Sequence, residues 1–347
     1  MKAVAAVLLV ALSGQGHWFG GREGEVLIQW TTGGKHPESV LAWEVTHGTI
    51  RLAQGEVALP ADGKPSAIRI TPPAVRVRTV LTLKYRARET RGGKEVESGS
   101  MDILLYPDNV LEGLAARLRG RTVMVWDEGG TLPKLLKGAG VPITAIKDPA
   151  ALQTVRADIL LVGPGQLEGN PAAEASLLGH VEAGSSVLVF AQTGVKELMG
   201  YPAAVRRVTE KLELRLDHPL FAGMEEREVR SLLAGGPADL TAIELPADEP
   251  ALELAWWPRE TPGANPVPID ALLVSKATGK GRLVLCQLPL GNWETDPRSQ
   301  LFLRNALEYL ATRPEPTPPP SQRKPTKKEV KPKAAVVVEA AEAKNTQ

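Results

Sequence analysis

Between residues 23 and 107, apolar and polar positions alternate, and almost nothing repeats at helical spacing. The clearest stretch is 75–86. There Val75, Val77, Thr79, Leu81, Leu83 and Tyr85 alternate with Arg76, Arg78, Val80, Thr82, Lys84 and Arg86. A period of two with mostly polar partners predicts a strand with one face in solvent. Further strands are predicted at 25–30, 41–47, 49–59, 67–71 and 95–106. The breaks fall at Thr32-Gly33-Gly34-Lys35, Ala61-Asp62-Gly63-Lys64 and Arg91-Gly92-Gly93-Lys94, all turn chemistry. Short strands at this spacing predict a β-sandwich over residues 23–107.

The pattern changes at Pro107-Asp108-Asn109. Helices are predicted at 110–118, 132–138, 149–155 and 171–183, and apolar strands at 122–126, 143–146, 158–162 and 186–190. Later strands are read at 270–274 and 282–288, and a last helix at 297–312 with Leu301, Leu303, Ala306, Leu307 and Leu310 on its apolar side. Near-continuous apolar strands alternating with helices predict a doubly wound parallel sheet over residues 108–312. The fold class is thus α/β plus all-β. From 313 to 347 the chain turns proline-rich and then basic, with Arg323, Lys324, Lys327, Lys328, Lys331 and Lys333. Such a segment buries too little apolar surface to offset its ordering entropy and is expected to be disordered. A transient helix is expected at 334–343.

Met1-Lys2 is followed by an apolar run from Ala3 to Leu12 and then by Ser13-Gly14-Gln15-Gly16. This is the pattern of a short signal peptide over residues 1–16, with export to the periplasm or beyond. The competing reading is a buried first strand. The run is too short to span a bilayer, so no integral membrane segment is expected in the mature chain. The 347 residues carry 41 basic and 40 acidic side chains, which leaves no electrostatic footprint for nucleic acid. One cysteine, Cys286, allows neither an internal disulfide nor a cysteine-rich zinc site. The five histidines, at 17, 36, 47, 180 and 218, show no metal-ligand spacing. No cofactor and no metal are expected.

Open α/β sheets place ligands at the carboxyl ends of their strands. Asp127 and Glu128 follow the first parallel strand, Gly163-Pro164-Gly165 the third, and Gln192-Thr193-Gly194 the fourth. Paired carboxylates suit acid/base work, while Asp127 alone equally suits a turn or helix cap. His218, before Pro219, is either a pocket-lining histidine or a loop entry. Trp293, in Gly291-Asn292-Trp293-Glu294, suits either stacking on a sugar ring or packing in the core or a lid, and the same two readings hold for the consecutive Trp256 and Trp257. The candidate pocket is therefore Asp127, Glu128, Gly163, Gln192, Thr193, His218 and Trp293. Cys286, inside an apolar strand, reads as a small core residue.

The segments His218-Pro219-Leu220-Phe221-Ala222-Gly223-Met224 and Gly279-Lys280-Gly281-Arg282-Leu283-Val284-Leu285-Cys286-Gln287-Leu288, with the helix after them, resemble the class I glutamine amidotransferase-like superfamily. In particular they resemble non-catalytic members attached to carbohydrate-active proteins. The resemblance implies a flavodoxin-like fold. Active members hold their nucleophile in a Gly-x-Cys-x-Gly strand-to-helix elbow. The matching turn here reads Phe190-Ala191-Gln192-Thr193-Gly194, so Gln192 takes the nucleophile's place, and an amide cannot do thioester chemistry. The family's histidine has no counterpart in Leu285-Cys286-Gln287-Leu288-Pro289-Leu290. The β-rich part, from Val40-Leu41-Ala42-Trp43-Glu44 to Leu104-Leu105-Tyr106-Pro107, is similar to sandwich domains of family 2 glycoside hydrolases such as β-galactosidases. Together these imply an exported, catalytically inactive protein that binds a carbohydrate or a partner protein. The alternatives are a glycoside hydrolase-like enzyme working through Asp127 and Glu128, and a structural envelope protein.

Overall fold

A computed structural model describes residues 8–30, 36–208, 211–246, 248–249, 251–258 and 268–314. The expected disorder beyond Pro314 and the helix expected at 334–343 lie outside the described residues. The chain has mixed α/β content, with strands far outnumbering helices among the described residues.

The first half builds two sheets. One has the order β1 (Leu8–Leu12), β3 (Gly24–Trp30), β6 (Ser66–Ile70), all antiparallel. The other has the order β2 (His17–Phe19), β8 (Glu95–Tyr106), β7 (Thr79–Glu89), β4 (Ser39–His47), β5 (Ile50–Leu59). In that sheet β2 runs parallel to β8, and the other pairings are antiparallel. The alternation read over 75–86 decides what faces inward: Leu81 and Leu83 join Leu41, Val45, Ile103 and Leu105 in one core with Val26, Ile28, Ile68 and Ile70 of the opposite sheet. The described part of the N-terminal apolar run is β1. It pairs with β3 from Leu8↔Trp30 to Leu12↔Val26, and Leu8 and Val10 are buried in the same core.

The second half builds a sheet of eleven strands. Its parallel part has the order β10 (Ile143–Ile146), β9 (Val123–Trp126), β11 (Ile159–Val162), β12 (Ser186–Val189), β19 (Gly281–Cys286). Antiparallel strands continue it: β18 (Ile269–Thr278), β16 (Asp239–Leu245), β14 (Tyr201–Arg207) and β13 (Glu197–Leu198), while β17 (Leu252–Pro258) lies on β18 and on β15 (Glu213–Leu214). The sheet is therefore mixed, and the purely parallel sheet expected from the sequence is corrected in its second part. The reason is local: β18 runs on to Thr278 and turns at Gly279, φ +58, straight into β19, so the two strands pair antiparallel.

Side chains of the parallel strands alternate between two cores. Val123, Val125, Ile159, Leu161, Leu188 and Cys286 face one. It also holds residues of α1 (Leu114–Arg117), α2 (Thr131–Gly138), α4 (Glu226–Ala234) and α5 (Pro297–Leu310). Trp126, Leu160, Val162, Val187, Val189 and Leu285 face the other, with Leu177 and Val181 of α3 (Pro171–Ala183). Burial on both faces is why these strands read as unbroken apolar runs. The helix ends follow local chemistry. Asn170 and Asp296 cap α3 and α5 with their side chains, a proline follows each cap, and Gly184 closes α3 at φ +116. The helix expected at 110–118 is only the short α1, and 149–155 holds a 3-10 turn, Pro149–Gln153.

The halves meet at a buried carboxylate. Glu228 of α4 is fully buried; its Oε1 accepts from the Tyr106 hydroxyl and its Oε2 from Arg78 Nη1 at 2.7 Å. Arg78 also donates to the Gly223 carbonyl at 2.8 Å and to Glu225. No helix among the described residues is long and apolar enough to cross a membrane.

Candidate functional site

Five of the seven sequence candidates sit where expected, just past the carboxyl ends of β9, β11 and β12, yet none of the seven lines the large cavity found there. Asp127 is committed to structure: its Oδ2 accepts from the Leu132 amide of α2 at 2.9 Å. Its side chain also occupies the space where a Cβ on Gly163 would sit, 2.8 Å away, so only glycine fits there. Glu128 is exposed, and its amide donates to Gln166. The two carboxylates do not converge on the cavity. Thr193 is exposed.

Gln192 is fully buried and faces inward. Its Oε1 accepts from the Leu167 amide at 2.8 Å, and its Nε2 donates to the carbonyls of Gly163 at 3.0 Å and Phe190. Its own amide donates to Gln287 Oε1 at 2.9 Å. The side chain thus ties the 163–167 loop to the end of β12, and the backbone amide adds the segment after β19. No helix follows β12, since residues 191–196 lead instead into β13. Gln192 is also not among the described non-glycine residues at positive φ, which are Gln15 and Met199. The elbow geometry that would present a nucleophile is absent at this turn.

The remaining candidates lie elsewhere. Trp293 is 2% exposed and packs edge-on against Phe190, with ring centroids 5.1 Å apart, so it is core and not a stacking platform. Trp257 is buried as well. His218 belongs to the opposite, amino end of the sheet. It caps a 3-10 turn by accepting from the Leu220 amide and packs edge-on to Tyr309 at 4.7 Å. The guanidinium of Arg282, at the start of β19, lies 3.8 Å from the same ring. Burial, then Arg282 and Arg215, push His218 down to about 4. Cys286 is buried, and desolvation pushes its thiol up to about 12, far from a reactive thiolate. No cluster of three metal-ligating side chains occurs among the described residues.

The cavity has a volume of about 890 Å³. Its floor is Pro164, Phe190 and Ala191 with the chain after β19, Leu288–Asn292. One wall is the end of α4 with Gly235 and Gly236; the other is the N-terminal segment, from Leu12 through Gln15, Trp18 and Arg22 to Gly24. Asp296 and Arg298 close the back. Arg298 is bidentate to Asp296, and its Nη1 donates to Ser231 Oγ at 2.6 Å and to Gln15 Oε1 at 3.2 Å. Gln15 holds φ +54, an unusual conformation for a side-chain-bearing residue, and its carboxamide fills the space a Cβ on Gly235 would need. Sequence reading missed this site because its walls are brought together from the two ends of the chain.

No family model matches the chain, and no curated protein matches it. Among solved structures, a CARDB domain from Pyrococcus furiosus, in complex with di-metal ions, is 17% identical, with 31% of this chain and 99% of that one covered and a TM-score of 0.23. A family 76 glycoside hydrolase from Bacteroides thetaiotaomicron is 14% identical, covering 33% of this chain and 24% of that one, TM-score 0.23. An FMN-binding β-glucuronidase from Facaelibacterium prausnitzii is 10% identical, covering 53% of this chain and 27% of that one, TM-score 0.21. This chain thus spans about a quarter of either hydrolase. Similarities at this level assign neither fold family nor activity.

Proposed function

We propose that this is a non-catalytic binding protein built on a sandwich and an amidotransferase-like α/β unit, exported and associated with carbohydrate. The observation that carries the reading is Gln192: at the position where an amidotransferase would hold its thiol stands an amide with both polar atoms engaged by backbone groups. The strand order β10-β9-β11-β12-β19, all parallel, is the 2-1-3-4-5 order of flavodoxin-like sheets and supports the α/β assignment. The hydrolase alternative loses support, because Asp127 is bonded to a helix amide and Glu128 faces solvent away from the cavity.

The test is a glycan array probed with the full chain, run beside assays for ammonia release from glutamine and for new reducing ends from the retained glycans. Retention of glycans without either product is expected. Turnover of a glycan that is lost in Glu128→Gln would overturn the reading in favour of the hydrolase. Export carries its own test. Strand β1 uses residues 8–12, so cleavage between 11 and 16 would remove it from the first sheet and take side chains of the 12–15 segment, Gln15 among them, out of the cavity wall; the cavity described above is that of the uncleaved chain. Mass spectrometry of the mature protein reads the outcome: an N-terminus near residue 16 supports export through a cleaved leader, and an intact Leu8–Leu12 in the folded protein contradicts it.

A further inference from the structure

The cavity at the carboxyl end of the sheet has a consistent electrostatic character. Each charged side chain on its wall already has an oppositely charged partner. Arg298 is bidentate to Asp296. Arg22 pairs with Asp108, Glu294 with Lys134 at 3.1 Å, and Glu23 with Arg69 at 3.8 Å. An ionic ligand would have to displace one of these pairs to gain its charge contact. Of these groups only Arg298 and Asp296 are buried, and they neutralise each other.

What the wall leaves open is neutral. Asn292 and Thr295 are exposed, and neither side chain bonds to another described residue. Gln15 gives its Oε1 to Arg298 and keeps its Nε2 toward Gly235. Between these groups the accessible apolar surface comes from Pro164, Ala191, Pro237 and Pro289, with the buried Phe190, Leu288 and Leu290 behind it. A carboxamide and a hydroxyl each donate and accept, which matches a ligand carrying neighbouring hydroxyls. Apolar patches between them suit the carbon faces of a sugar ring. The volume falls within the roughly 300–1,000 Å³ usual for small-molecule sites.

We propose that this cavity binds a neutral oligosaccharide, with Asn292 and Thr295 contacting its hydroxyls and Ala191 at its floor. The proposal rests on the carbohydrate part of the reading above and adds the place and the charge class.

The experiment is calorimetric titration of the full chain with neutral oligosaccharides, their uronic-acid and sulfated counterparts, and uncharged peptides. Asn292→Ala removes a polar contact, and Ala191→Trp fills the floor. Both positions lie outside the cores, and matching melting curves establish that each variant is folded. Saturable binding of a neutral oligosaccharide is expected, insensitive to salt, weakened about tenfold by Asn292→Ala (about 1.4 kcal/mol) and lost in Ala191→Trp. Binding that survives Ala191→Trp would overturn the placement while leaving the carbohydrate reading intact. A preference for charged glycans or for peptides would overturn the ligand class. Failure of every oligosaccharide to bind would overturn both this proposal and the carbohydrate part of the reading it rests on.

Discussion

Replacing Arg78 with methionine isolates the joint between the two halves. Glu228 is 0% exposed on its side chain and Arg78 33%, so the change leaves a buried carboxylate without its cation while the Tyr106 hydroxyl and the Glu225 amide still donate to it. Breaking a fully buried ion pair by removing one partner costs roughly 3–5 kcal/mol. Arg78 is one-third exposed, so water replaces part of what is lost, and the expected cost is about 2 kcal/mol. Chemical denaturation followed by tryptophan fluorescence measures it, because tryptophans lie in both halves, among them Trp18 and Trp30 in one and Trp126 and Trp293 in the other. The parent should unfold at higher denaturant than Arg78→Met. In a Glu228→Gln background, the same substitution should cost less than about 0.5 kcal/mol, since no buried charge is then abandoned. Stability of the single Arg78→Met variant within about 0.5 kcal/mol of the parent would refute the reasoning.

Other outcomes follow from single groups. His218 has a folded-state value of about 4 against the usual 6.5, so the unfolded chain binds the extra proton between those values. Stability therefore falls as pH drops from 6.5 toward 4, by at most about 3 kcal/mol; unfolding measured across that window should flatten in His218→Gln, and an unchanged slope would contradict the assignment. Cys286→Ala should cost about 1 kcal/mol through a small cavity, and native protein should resist iodoacetamide until it unfolds; rapid native labelling, with ammonia release from glutamine that vanishes in Cys286→Ala, would overturn the inactive reading. Truncation after Pro314 keeps the bonds from Arg282 to Tyr309, Thr312 and Arg313, so the melting temperature should stay within about 2 °C; a cooperative loss would show that the tail docks on the body.

The parts of the fold most legible in the sequence are those where burial acts on both faces. The runs 159–162 and 187–189 are apolar because each residue enters one of two cores, and strand and position follow directly. Residues 197–258 were less readable, and α4 with β13–β17 went unread there. In α4, Glu228 interrupts the apolar face because it is buried against Arg78 and Tyr106, a partnership set by residues more than a hundred positions away. The N-terminal run illustrates a real degeneracy, since ten apolar residues suit a leader's core and an edge of a sheet equally. At the site, the positions of Asp127, Gly163 and Gln192 at strand ends could be read, but not their orientation. A turn glutamine that bonds three backbone groups looks in sequence like one that faces a ligand. For His218 and Trp293 the sequence left a ligand-facing and a structural reading side by side, and ring packing against Tyr309 and Phe190 decides for the structural one. The cavity depends on Gln15 meeting Arg298, a contact with no local signal at all.

One measurement tests the account most directly: proton NMR of a neutral oligosaccharide with the purified full chain, recorded as saturation transfer and again after long incubation. The account predicts transfer from protein to sugar, abolished by Ala191→Trp, with the anomeric signals unchanged over time. New reducing-end signals that grow with incubation would contradict a non-catalytic binding protein, and absence of transfer from any sugar would contradict carbohydrate binding.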